Sequence, residues 1–134
     1  MTTTFAPLDD HQYLQLITFR RSGVGVKTPV WFAPAGTRLY VKTENPSGKI
    51  KRIRNDPRVQ VAPCTLRGRM LGPTIDARAR ILGPEETPRA ERVLATRYGL
   101  VRRLFALVVE PFFRWRGLAE VYLEIVPDGR GGAA

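Results

Sequence analysis

This sequence predicts a mainly β domain, an antiparallel barrel with helices at its periphery, and three observations support that expectation. Short runs rich in aromatic and β-branched residues recur along the chain, and Gly- and Pro-containing turns separate them. The elements also fall in the order β-β-β-α-β-β-α-α-β, mostly joined by short connections, which suits neighbouring antiparallel strands better than parallel crossovers.

Residues 13–19, Tyr-Leu-Gln-Leu-Ile-Thr-Phe, have a weak period of two and read as a buried strand. Arg20-Arg21-Ser22-Gly23-Val24-Gly25 is a hairpin connection whose glycines are available for positive φ. Residues 26–33 form the second strand, with Val26, Thr28, Val30 and Phe32 on one face and Lys27, Pro29 and Trp31 on the other. Pro29 withdraws a ladder donor, which places it at an edge, a bulge or a site where a flat ligand lies. Pro34-Ala35-Gly36-Thr37 turns the chain into a third strand, 38–43. That strand breaks at Asn45-Pro46, and a short helix begins at Ser47. Asn55-Asp56-Pro57 stops the helix, because proline disfavours helical geometry in the residue before it. A fourth strand, 58–65, alternates Val59 and Val61 with Gln60 and Ala62. Arg67-Gly68-Arg69 is a turn or bulge, residues 70–72 are expected to pair onward, and strand 76–82 puts Asp76, Arg78 and Arg80 on a wet face. Helix 85–98 has Glu85 and Glu86 at its start and Gly99 past its end. A further helix over 100–109, with one basic and one apolar side, and a last strand, 118–126, complete the chain.

At 134 residues the expected organisation is a single domain over 1–134, with frayed ends at about 1–8 and 128–134. The net charge of +10 is concentrated: residues 42–80 hold ten basic side chains against three acidic ones, Glu44, Asp56 and Asp76. An anionic partner is therefore indicated. Cys64 is alone, which excludes an intrachain disulfide and an all-cysteine metal site, and His11 is the only histidine, so no metal is expected. His11 reads as a surface or capping group and Cys64 as a small packing residue. No apolar N-terminal run follows a basic start, and the most apolar stretch, 104–113, falls short of the ~20 residues that span a bilayer. A cytoplasmic protein without a transmembrane segment is the expectation.

The stretch from Lys42 to Arg54 has the layout of an anion-binding corner. Ser47 is placed to cap the helix by accepting from the Ile50 N–H, and Gly48 removes a side chain where a ligand approaches. The first-turn N–H groups then face outward at the positive end of the helix dipole. Ile50 and Ile53 pin one face to the protein, leaving Lys49 and Arg52 to flank the guest; a phosphate suits this arrangement, and a solvated basic helix is the plain alternative.

These residues resemble a known family. The run Tyr13 to Arg20, then Thr28-Pro29-Val30-Trp31-Phe32-Ala33, Leu39-Tyr40-Val41, Ser47 to Arg54, Pro57-Arg58-Val59 and Val61-Ala62-Pro63-Cys64 resemble the small actinobacterial split-barrel flavin and deazaflavin oxidoreductases. These are relatives of pyridoxamine 5′-phosphate oxidase, often labelled F420-dependent, and the likeness covers roughly residues 13–125. It implies a split β-barrel of the FMN-binding type, with about six to seven antiparallel strands and two to four helices. It also implies a homodimer with cofactor sites at the subunit interface. The implied cofactor-binding positions are Lys27, Thr28, Pro29, Val30 and Trp31 on the strand lying against the ring. Lys42 and Thr43 end the next strand, Ser47, Gly48 and Lys49 form the corner, and Lys51, Arg52, Arg54 and Arg69 supply further positive charge. Lysine stands at 27 and glycine at 48, where the phosphate-binding relatives carry arginine. The Ser-Gly-Lys pattern followed by basic residues is similar to the deazaflavin branch, so coenzyme F420 is the implied cofactor and flavin mononucleotide (FMN) the alternative. F420 carries a phosphodiester and an oligoglutamate tail, which agrees with a long basic groove.

The implied activity is hydride transfer from reduced F420 to a small organic acceptor, chemistry that the cofactor performs while the protein supplies placement and electrostatics. No acid–base pair is conspicuous in the sequence, and the catalytic residues are unassigned. Trp31 is open to two readings, core packing or stacking on the ring. A basic nucleic-acid-binding β-barrel with Trp31 and Tyr40 as stacking platforms is the rival in a different class. Its basic residues cluster at one turn and helix instead of interleaving with aromatics along strands, so no nucleic-acid partner is expected.

Overall fold

Six strands in the computed structural model close into one antiparallel barrel. The structure describes residues 5–8, 11–97, 107, 111, 115–117 and 119–128. The strands are β1 (Tyr13–Phe19), β2 (Gly25–Ala35), β3 (Arg38–Asn45), β4 (Arg58–Cys64), β5 (Ile75–Ile81) and β6 (Ala119–Pro127), and around the barrel they run β1-β2-β3-β6-β5-β4. Helix α1 (Gly48–Asn55) lies between β3 and β4. A second helix, α2, begins at residue 87 and continues through 97, the last described residue of that stretch.

Sequence-based expectations match this architecture closely in the first half of the chain. The first strand has the expected bounds; the second is three residues longer than predicted, one at its start and two at its end, and the third is two residues longer. Residues 70–72 do not extend the ladder; they contribute a single bridge between Cys64 and Met70. Helix α2 starts two residues later than expected, because Glu86 accepts from the Gly83 N–H at 3.4 Å and holds 84–86 as a turn. The helix expected over 100–109 lies almost wholly outside the described residues.

Period-two alternation sends Leu14, Leu16, Phe32, Leu39, Val41, Val59, Val61, Ala77, Ala79, Leu123 and Ile125 into the barrel. Phe5, and Leu8 from the short 3-10 turn Ala6–Leu8 that follows it, join this core, and so do Ile50 and Ile53 from α1. A second, smaller cluster forms outside the barrel wall. There Ala33, Tyr40, Leu82 and Tyr122 are covered by Ala90 and Leu94 of α2, with Trp31 packed at its margin. Arg97 of α2 reaches across to the backbone carbonyl of His11 and lies 4.7 Å above the Phe32 ring, tying the helix to the entry of β1.

Strand β2 changes neighbour part-way along. Gly25 to Trp31 pair with β1, whereas Phe32 to Ala35 pair with β3. Residues 25–30 therefore have a backbone edge without a ladder partner among the described residues, which explains how Pro29 is accommodated within a strand. No helix among the described residues is long and apolar enough to cross a membrane.

Candidate functional site

The corner between β3 and α1 has the predicted cap. Ser47 is extended (φ −154°, ψ 160°), and its hydroxyl accepts from the Ile50 N–H at 3.4 Å. Ile50 and Ile53 are 1% and 3% exposed, so α1 is anchored by the face expected to anchor it. The lysine and arginine of the corner have different positions from those expected. Lys49 is only 9% exposed, and its Nζ lies 3.1 Å from Glu44 Oε1. Burial pushes the Glu44 pKa upward, but the hydrogen bond and charge of Lys49 outweigh this and hold it below the usual carboxylate range. Thr43 donates to the same carboxylate at 3.2 Å, and Lys42 pairs with Glu120 at 2.9 Å. The chain turns back at 45–47, bringing Glu44 within reach of Lys49.

Arg52 carries the corner's available donors. Its Nε donates to Thr18 Oγ1 at 2.6 Å, and its guanidinium folds back over Gly48. A methyl group at Gly48 would lie 2.7 Å from Arg52 Nη1. Glycine at this position therefore makes room for an arginine arriving from one turn further along the helix, where a ligand was expected. Arg52 Nη1 and Nη2 have no protein partner among the described residues. Burial and the neighbouring Arg20 charge both lower the Arg52 pKa. The two like charges act on each other while neither has an ion-pair partner among the described residues, a donor set that suits an anion. The basic side chains of Lys27, Lys51, Arg54, Arg67 and Arg69 are likewise without ion-pair partners among the described residues.

Gly48→Ala tests this placement. The obstructing atom is the end of a flexible side chain, and alanine favours helix, so unfolding free energy is expected to change by less than about 1 kcal/mol. Pyrophosphate affinity, measured by calorimetry, is expected to fall by roughly fivefold as Arg52 is displaced.

The ring-strand candidates divide between two faces. Lys27, Pro29 and Trp31 face outward, while Thr28 is half-buried and Val30 packs on the barrel core. Trp31 lies 6.5 Å from Tyr13, ring centre to ring centre, and joins the cluster under α2, so packing is part of its role. Val26 pairs with Thr18 and Pro29 with Gln15, which puts the corner and the middle of the strand about 10 Å apart. Arg69 sits on a hairpin whose Gly68 rests against Gln15 and Pro29. Cys64 is 2% exposed, and burial pushes its thiol pKa up, in keeping with packing. Among the described residues no group of three or more His, Cys, Asp and Glu side chains is arranged to hold a metal ion.

Sequence reasoning overlooked Gln15 and Glu124. Glu124 on β6 is 9% exposed; it accepts from Arg38 (3.0 Å), Tyr40 (3.2 Å) and Arg80 (3.2 Å), and Arg80 also binds Glu86 at 2.7 Å. A period-two polar position on a strand that is half covered by a helix was the only available signal for it.

The barrel has many structural counterparts. It matches a putative pyridoxamine 5′-phosphate oxidase from Listeria innocua over 92% of this chain and 89% of that one, with a TM-score of 0.63 and 21% identity. It is a split barrel. The match to an F420 reductase covers 93% of both chains, with a TM-score of 0.56 and 18% identity. Another is Atu2129 of Agrobacterium tumefaciens, a protein of unknown function, with a TM-score of 0.66 and 17% identity over 91% of this chain. The present split barrel spans half of that protein's length. No family model and no curated protein matches the sequence.

Proposed function

We propose that this split barrel binds coenzyme F420 and uses its reduced form to deliver a hydride to a small organic acceptor, working as a homodimer. The observation that carries the reading is Arg52, fixed by Thr18 over the bare Gly48 beside Arg20, with both terminal guanidinium nitrogens available at a Ser47-capped helix start. The residues fit the group. A phosphodiester meets Arg52 and Arg20, and the carboxylates of the tail meet Lys51 and Arg54 on the exposed side of α1. The backbone edge of residues 25–30, which has no ladder partner among the described residues, offers hydrogen bonds to the ring edge, and Trp31 shields one side of it from water. When bound, the reduced deazaflavin supplies the hydride; the chain's own residues bind, orient and exclude water. The likeness to an F420 reductase supports this reading at the level of fold.

The test is equilibrium binding of oxidised F420, FMN and a single-stranded oligonucleotide at low and moderate salt, with light scattering for the oligomeric state. F420 is expected to bind tightest and to weaken with salt. Arg52→Ala is expected to cost about tenfold or more, while Lys49→Ala costs less, because Lys49 is already neutralised by Glu44. Preferential FMN binding would replace the deazaflavin with a flavin. Oligonucleotide binding with neither cofactor would overturn the oxidoreductase reading.

A further inference from the structure

Gln15 has a conflict that the barrel does not resolve. It lies on the outward face of β1, directly opposite Pro29, yet is only 4% exposed, because the hairpin between β4 and β5 folds over it. Its Nε2 donates to the Gly68 carbonyl at 3.0 Å, but its Oε1 is buried and accepts nothing among the described residues. Pro29 cannot supply the donor, having no N–H. The next outward residues of β2 on either side are Lys27 and Trp31.

The hairpin itself is well made. Thr65 N–H donates to the Arg69 carbonyl at 2.9 Å, Gly68 N–H donates to the Thr65 carbonyl at 2.9 Å, and Arg69 N–H donates to Thr65 Oγ1 at 3.0 Å. Gly68 has φ +88°, and a side chain there would begin 3.5 Å from Gln15 Nε2 and 4.0 Å from Pro29. Glycine thus lets the hairpin tip lie against β2. Arg67 and Arg69, on either side of it, are exposed and carry no ion pair among the described residues.

We infer that Gln15 is a ligand-positioning residue. Its Nε2 latches the 65–69 hairpin so that Arg67 and Arg69 stand over the ring strand, and its Oε1 is the acceptor for an N–H of the bound ring, reached as the hairpin shifts to admit the ligand. A buried amide oxygen without a donor is rare in a folded protein, and a cyclic amide N–H flanked by carbonyls meets its need. Flavins and deazaflavins both present such an edge. The ligand half of the inference rests on the cofactor proposed above; the latch does not.

Trypsin separates the two, since it cuts after Arg67 and Arg69. Gln15→Met keeps the side chain's length and removes its hydrogen bonds. Cleavage at 67 and 69, relative to cleavage at Arg20 and Arg21, is expected to be about tenfold faster in Gln15→Met than in the wild type without ligand. Equal rates would overturn the latch. Oxidised F420 is expected to slow the absolute rate of cleavage at 67 and 69 in the wild type, read without reference to Arg20, and to bind Gln15→Met about tenfold more weakly. Binding to both with equal affinity would overturn Oε1 as an acceptor while leaving the cofactor in place. An absence of F420 binding to the wild type would overturn the cofactor reading and the acceptor role together, with the latch judged from the ligand-free rates. Should Gln15→Met not fold, hydrogen exchange at 65–69 in the wild type decides. Slow exchange that F420 slows further supports the inference, and exchange as fast as at exposed Arg21 overturns it.

Discussion

Phe32→Ala is expected to lower the unfolding free energy by about 4 kcal/mol, which for a chain of this size is a drop of roughly 10–15 °C in thermal midpoint. The ring is fully buried and is the first residue of β2 to pair with β3, so the cavity opens where the strand changes neighbours. The same ring lies under Arg97, which in turn holds the His11 carbonyl. Removal therefore loosens α2 and the chain entry as well as the barrel. Phe32→Leu, which retains most of the volume, is expected to cost less than half as much. Equal losses in the two variants, by chemical denaturation, would show that the contact with Arg97 outweighs the packing.

Glu124→Gln is expected to cost about 2 kcal/mol at neutral pH. Breaking a fully buried ion pair costs about 3–5 kcal/mol, but Arg38 and Arg80 are 47% and 52% exposed and recover much of their hydration. The pH dependence has a definite sign. Burial of Glu124 raises its pKa, and the hydrogen bonds and charges of Arg80 and Arg38 more than reverse that, leaving the folded value below the ordinary 4.5. A depressed carboxylate stabilises the fold at pH values above its unfolded pKa, and the contribution disappears as pH falls through the folded value. The difference between wild type and Glu124→Gln is therefore expected to be constant above about pH 5.5 and to shrink below pH 4.5. A gap that persists at pH 3 would show that the charge is not what matters.

Local signals in the sequence located most of the fold. The alternation in Tyr13-Leu14-Gln15-Leu16-Ile17-Thr18-Phe19, the Gly36 turn, and the serine three residues before Ile50 each act within a few residues of one another, and each corresponds to a feature of the structure. The electrostatic partners were not legible, because they are set by strand order. Arg38, Arg80 and Glu124 meet only once β3, β6 and β5 lie side by side. Lys49 and Arg52 looked equivalent on the helix, yet one faces Glu44 and the other Thr18. Gln15 reads locally as one polar position in a strand of weak alternation. Its burial comes from a hairpin some fifty residues later, which no pattern local to β1 reports.

The change of partner along β2 also makes residue count a carrier of information. The segment to Trp31 takes its register from β1 and the segment from Phe32 takes its register from β3, so the junction fixes the phase between two independently anchored halves. With side chains alternating at every residue, a single residue inserted at that junction would have to bulge out between the two ladders for both halves to keep their faces, or turn one half over at the cost of its pairing. The exact count of residues across the junction thus keeps Lys27, Pro29 and Trp31 outward while Phe32 points into the barrel.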